Sequence, residues 1–194
     1  MQPDHSLQPT RPLRLGSLRA PEAVGHAVER GIRQEERRVM GNPEPSTQSA
    51  AERRAAEAQL RALIDRFAPA HLRLIGALRR WLLERLPTAH EIVYEYRDWI
   101  VLSYSPSERG YEGVLAIRAD ADGVKLYFNH GKGLPDPEKL LRGSAQARWI
   151  AVESASTLAR PAVGSLADEA IARNSVPFAA SGRGPIVIRS ASTR

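Results

Sequence analysis

The chain is 194 residues long, 42% hydrophobic and 26% charged, with a formal net charge of +6, a mean hydropathy of −0.37 and a pI near 10.1. That size accommodates one domain with tails, and no run approaches the roughly 18 apolar residues of a membrane span. The absence of cysteine excludes disulfides, thiolate zinc sites, iron–sulfur ligation and a cysteine nucleophile together.

Residues 1–48 read as a disordered extension. They hold Pro3, Pro9, Pro12, Pro21, Pro43 and Pro45 but no aromatic side chain, so little apolar surface is available to offset the entropy of ordering. Within them, Val24, Ala27, Val28 and Ile32 mark one amphipathic helix running from Pro21 to Met40, weakened by Gly25 and Gly31. Met40 is a candidate alternative start. The first 20 residues carry Arg11, Arg14 and Arg19 without the apolar segment of a secretory signal, and a cytoplasmic location is expected.

Ser49 and Glu52 have capping-box spacing, so a helix is predicted to open near Ala50. Leu60, Leu63, Ile64 and Phe67 form its apolar stripe. Pro69 ends that helix and starts a second, over 69–86, whose buried set is Leu72, Ile75, Leu78, Leu82 and Leu86. The period then changes from 3.6 to 2. Ile92, Tyr94 and Tyr96, then Ile100, Leu102 and Tyr104, then Val124, Leu126 and Phe128 alternate with their neighbours, and Gly113–Arg118 is a further strand. Asp122-Gly123 signals a hairpin, and Arg97-Asp98 leaves room only for a tight connection. Links this short force antiparallel neighbours.

Asp136 and Pro137 predict a short helix ending at Gly143, and Arg148–Glu153 a fifth strand. Pro161 opens a last helix with Val163, Leu166, Ala170 and Ile171 inward and Asn174 as C-cap. Ile186–Ile188 is either a short added strand or part of a disordered tail. The expected architecture is α+β: one antiparallel sheet of about five strands, packed by N-terminal and C-terminal helices. The domain spans 49–175, with 176–194 as a tail.

The charge is unevenly placed. Residues 47–88 carry +4 and 176–194 carry +3, whereas 89–175 carry −2. Nucleic acid is therefore a secondary expectation, resting on Arg53, Arg54, Arg61, Arg73, Arg79 and Arg80 of the two helices. Tyr94, Tyr96, Trp99 and Tyr104 form a candidate stacking set for a planar ligand. No nucleophile elbow, zinc spacing or P-loop occurs, so the reading leans away from an enzyme. His130, Lys132, Arg142, Ser144 and Arg148 cluster on one turn-to-strand connection in an otherwise acidic segment. They are the candidate ligand-binding residues for a small anion or a partner protein. Asp120 and Asp122 flank the hairpin as candidate ligands of a hard cation.

Gly133-Leu134-Pro135-Asp136-Pro137, followed by Leu140-Leu141 and Gly143-Ser144, resembles the YdhG-like family of small intracellular domains, and the likeness extends over 60–175. The resemblance implies an antiparallel sheet packed by helices. One branch of that family is described as a frataxin-like iron chaperone, so iron enters as the cofactor or cargo implied, with Asp120, Asp122 and His130 as its candidate ligands.

Overall fold

The structure, a computed structural model, describes residues 48–190. The expected Pro21–Met40 helix and the alternative start at Met40 lie outside the described residues. In chain order the elements are α1 (Ala50–Ile64), α2 (Pro69–Arg85), β1 (His90–Glu95), β2 (Ile100–Ser105), β3 (Leu115–Asp120), β4 (Gly123–Phe128), β5 (Arg148–Ala151), α3 (Ala155–Ala159), α4 (Pro161–Ala172) and β6 (Ile186–Ser190). They form an α+β fold with one six-stranded sheet in the order β5-β4-β3-β2-β1-β6. No helix among the described residues is long and apolar enough to cross a membrane.

The local rules hold where neighbours in sequence supply the partners. The Ser49 hydroxyl accepts from the Glu52 N–H at 3.2 Å, and the Glu52 carboxylate accepts from the Ser49 N–H at 2.8 Å, closing the capping box of α1. Pro69 is the first residue of α2. Ala121 and Asp122 make a two-residue hairpin loop between the paired Asp120 and Gly123, and the Asp120 carboxylate accepts from the Asp122 N–H at 3.0 Å. All neighbours from β5 to β1 run antiparallel.

Each of the four α-helices among the described residues contributes to the main core. Leu60 of α1, Ile75, Leu78 and Leu82 of α2, Leu158 of α3 and Val163, Leu166 and Ala167 of α4 are buried there with Ile100, Leu102, Tyr104, Ile117, Leu126 and Phe128. A second, smaller cluster lies on the other face of the sheet and, among the described residues, draws on strands and their turns: Ile92, Tyr94, Val101 and Ala116, flanked by Tyr96, Trp99 and Tyr127. The alternation read from the sequence therefore separates two buried faces rather than a buried face and a wet one.

Two expectations change. Residues 136–143 are not a helix. The Asp136 carboxylate accepts from the N–H groups of both Leu140 (2.9 Å) and Leu141 (2.7 Å), and Lys139 takes a positive φ of 54°. A side chain thus takes the donors that helical carbonyls would otherwise accept, and Pro135 and Pro137 remove two more donors. Arg142 then bridges to Trp149 outside the edge strand β5.

The second change is at the C-terminus, where the added-strand alternative is observed. Ile186–Ser190 pairs with β1 in parallel, Ile92 facing Val187 and Tyr94 facing Arg189. The sheet thereby has six strands and one parallel pair. A parallel neighbour requires a long crossover, and the chain from β5 through α3 and α4 provides it across the helical side. Gly184 makes the approach: a Cβ there would stand 1.8 Å from the Ala89 carbonyl oxygen. Its own carbonyl accepts from Arg53 at 2.6 Å.

Candidate functional site

The five loop residues surround one connection between β4 and β5. The Lys132 N–H donates to the Gln146 carbonyl at 3.0 Å, tying the two arms of the 129–148 loop together. Gly131 packs against Arg148, whose Cβ would lie 2.5 Å from an added methyl. Arg148 donates to the Gly143 carbonyl, and the Arg142 guanidinium lies 5.5 Å from the centre of the Trp149 ring. His130, Lys132, Arg142 and Ser144 are exposed. His130 lines a small cleft of about 210 Å³ with Leu134, Ala170, Arg173, Asn174 and Ser175. Its one arginine is engaged by Glu169 at 2.6 Å and by the Gly133 carbonyl at 2.8 Å.

The candidate metal ligands are spread along β4. Asp120 and Asp122 stand at its beginning and His130 beyond its end, so six residues at about 3.4 Å each separate them. The Asp120 carboxylate is already held by Arg118 at 3.0 Å and Lys125 at 3.2 Å. Among the described residues no group of three or more histidine, aspartate or glutamate side chains comes together to hold a metal ion.

The helix arginines divide. Arg54, Arg61, Arg73 and Arg80 are exposed, whereas Arg79 turns inward. Its Nε and Nη2 donate to Glu91 at 2.8 and 2.9 Å, and its Nη1 and Nη2 donate to Glu57 at 2.5 and 2.8 Å. Glu91 is 1% exposed, and the buried Tyr104 hydroxyl donates to it at 2.9 Å. Tyr104, expected in the stacking set, is thus part of a network beneath the helices. Burial disfavours the charge on Arg79, yet the bonds to Glu57 and Glu91 outweigh it and raise its pKa. Burial, reinforced by the Glu91 charge, pushes the Tyr104 phenol well above its ordinary range, so it stays a donor. The bonds from Arg79 hold Glu57 below the usual carboxylate range. Sequence reasoning assigned Arg79 to the surface, because the arginine period on α2 carries no mark of which carboxylate waits on a strand folded beneath it.

A larger cleft, of about 390 Å³, opens at one end of the sheet and is lined by Arg66, Phe67, Ala68, His71, Arg97, Asp98, Trp99, Asp120 and Ala121. Three tips converge there: the α1–α2 turn, the β1–β2 turn and the β3–β4 hairpin. Arg66 is oriented by Glu95 at 3.0 Å. Arg97 and Asp98 are exposed at the tip of their turn. Trp99 is clamped, stacked on Tyr96 with centroids 3.6 Å apart and covered by the Arg118 guanidinium at 4.5 Å. Ala68 caps α2 without a side-chain hydrogen bond, and the first helical bond runs from Leu72 to Ala68. The N–H groups of Ala70 and His71 therefore lack intrahelical acceptors at the positive end of the helix. Of the two carboxylates among the described lining residues, Asp98 and Asp120, Asp120 is paired with Arg118 and Lys125. This arrangement suits a compact anion. No family model, curated protein or solved structure matches the chain.

Proposed function

We propose that the protein is a binding domain that recognises a small anionic ligand in the cleft between the α1–α2 turn and the two hairpin tips. The observation that carries this reading is the convergence of Arg66, His71 and Arg97 on one cleft. The open N-terminus of α2 supports it, since backbone N–H groups and the helix dipole favour negative charge at the same place. The clamped Trp99 and the neutralised Asp120 support it as well, by giving the cleft one rigid wall and removing one negative charge. Kinship with the YdhG-like domains, resting on the 133–144 motif, belongs to the same proposal, and the anion would be the cargo of that binding domain.

Thermal-shift titration with inorganic phosphate, pyrophosphate and small dicarboxylates tests the reading, because a ligand bound only by the folded state raises the melting temperature. An anion-dependent rise that Arg97→Ala and His71→Ala each diminish is expected. A rise that persists in both but vanishes in Lys132→Ala would move the site to the 129–148 loop. No rise with any of the anions would end the proposal.

A further inference from the structure

The cleft at the hairpin tips is larger than a bare anion and is not lined by charge alone. Its volume is about 390 Å³, whereas the five heavy atoms of a phosphate take up no more than about 150 Å³ even at a water's share of roughly 30 Å³ each. On two of its walls a ring stands near a cation: Phe67 next to Arg66 on the α1–α2 turn, and Trp99 two residues from Arg97 on the β1–β2 turn. Rings add nothing to the recognition of a bare anion, but they supply the apolar half of an organic ligand's site.

Both rings are anchored. Phe67 is half-buried and packs against the main core, so one side of it is held while the rest is left to the cleft. Trp99 is fixed more closely. Tyr96 stacks on it at 3.6 Å with 8° between the planes, and because a stacked ring fills that face, the Arg118 guanidinium at 4.5 Å lies on the other. With both faces occupied, the indole presents its edge to the cleft. A ring edge carries the positive end of the aromatic quadrupole, so it attracts the face of another ring and tolerates an anion nearby.

From this geometry we infer that the ligand of the cleft is a small aryl anion, a carboxylate or phosphate group carried on an aromatic ring. The inference rests on the anion reading of the same cleft and names its class of ligand. Arg66, Arg97 and the open N–H groups at the start of α2 receive the charged group, while the ring lies between Phe67 and the Trp99 edge. Charge and ring are adjacent in such a ligand, as cation and ring are on each of these two walls. Rings fixed before the ligand arrives also lower the ordering cost of binding.

The test is isothermal titration calorimetry of the full chain at constant ionic strength. It compares benzoate with acetate, phenyl phosphate with inorganic phosphate, and benzoate with cyclohexanecarboxylate, which has the same charge and nearly the same size but no π face. Benzoate and phenyl phosphate should bind on the order of tenfold tighter than their bare counterparts, and benzoate about two- to tenfold tighter than cyclohexanecarboxylate. Phe67→Leu keeps an apolar side chain against the core; it should remove most of the advantage of phenyl phosphate and leave the affinity for inorganic phosphate unchanged. Arg97→Ala should weaken both phosphates in the same proportion. Equal affinity for phosphate and phenyl phosphate overturns the inference and leaves the anion reading standing. So does cyclohexanecarboxylate binding as tightly as benzoate, or an aryl preference untouched by Phe67→Leu. Binding of none of these anions ends both readings, and the comparisons on the unaltered chain decide even where the leucine variant does not fold.

Discussion

Replacing Arg79 by methionine removes the guanidinium from a site where its side chain is 17% exposed and Glu91's only 2%. Four hydrogen bonds disappear, and the Glu91 carboxylate keeps just the Tyr104 hydroxyl as a side-chain partner. Glu57, at 39% exposure, can turn to water; Glu91 cannot. Breaking a buried pair from one side costs about 3–5 kcal/mol, because the remaining charge stays desolvated. At roughly 2–4 °C per kcal/mol for a chain of this size, the melting temperature should fall by about 10 °C. Urea denaturation followed by circular dichroism measures the loss directly. Arg79→Lys keeps the charge but not the fork and should fall in between, and it remains available if the methionine variant does not fold. Adding Glu91→Gln to Arg79→Met should recover much of the loss, since no buried charge is left. Glu57→Gln should cost no more than about 1 kcal/mol, as expected of a partly exposed pair. If Arg79→Met costs as little as Glu57→Gln, Glu91 is not a buried ion held by Arg79, and the reasoning fails.

Gly184→Ala should destabilise the protein and selectively speed hydrogen exchange along β6, because the methyl meets the backbone at Ala89 rather than a side chain able to move; unchanged exchange in β6 would contradict the docking described. Asp136→Ala removes the acceptor of two N–H groups and should cost about 1–3 kcal/mol in chemical denaturation. His90 is held below its ordinary pKa of 6.5 by burial, partly opposed by Glu108, and its Nδ1 is buried without a hydrogen-bond partner. The unfolded chain therefore takes up this proton first as pH falls. Its contribution to stability is full above about pH 6.5 and declines below it, and melting temperatures measured from pH 7 to pH 5 should fall less in His90→Gln than in the parent.

What could be read in the amino-acid sequence was whatever neighbouring residues decide among themselves. The Ser49–Glu52 box, Pro69 at the start of α2, the hairpin around Asp122-Gly123 and the alternation of β1 to β4 depend on contacts a few residues apart. Their outcome follows from helix and strand periods and from turn chemistry. The Asp136 turn marks the edge of that competence. A cap followed by proline describes a helix start equally well, and the reach of one carboxylate to two amides decided otherwise.

Tertiary structure alone decided the rest. Whether Ile186–Ser190 joins the sheet depends on Gly184 meeting Ala89 across a long crossover, and the parallel pairing with β1 follows from where α4 delivers the chain. Arg79 and Glu91 find each other across a helix–strand interface, and the face on which Tyr104 and Tyr94 fall is fixed only once the helices choose a side. The large cleft is built from three turns distant in sequence. Periodicity says that a side chain faces a partner. Which partner it meets is set by packing, because burial energy is non-directional and the same pattern satisfies many neighbours.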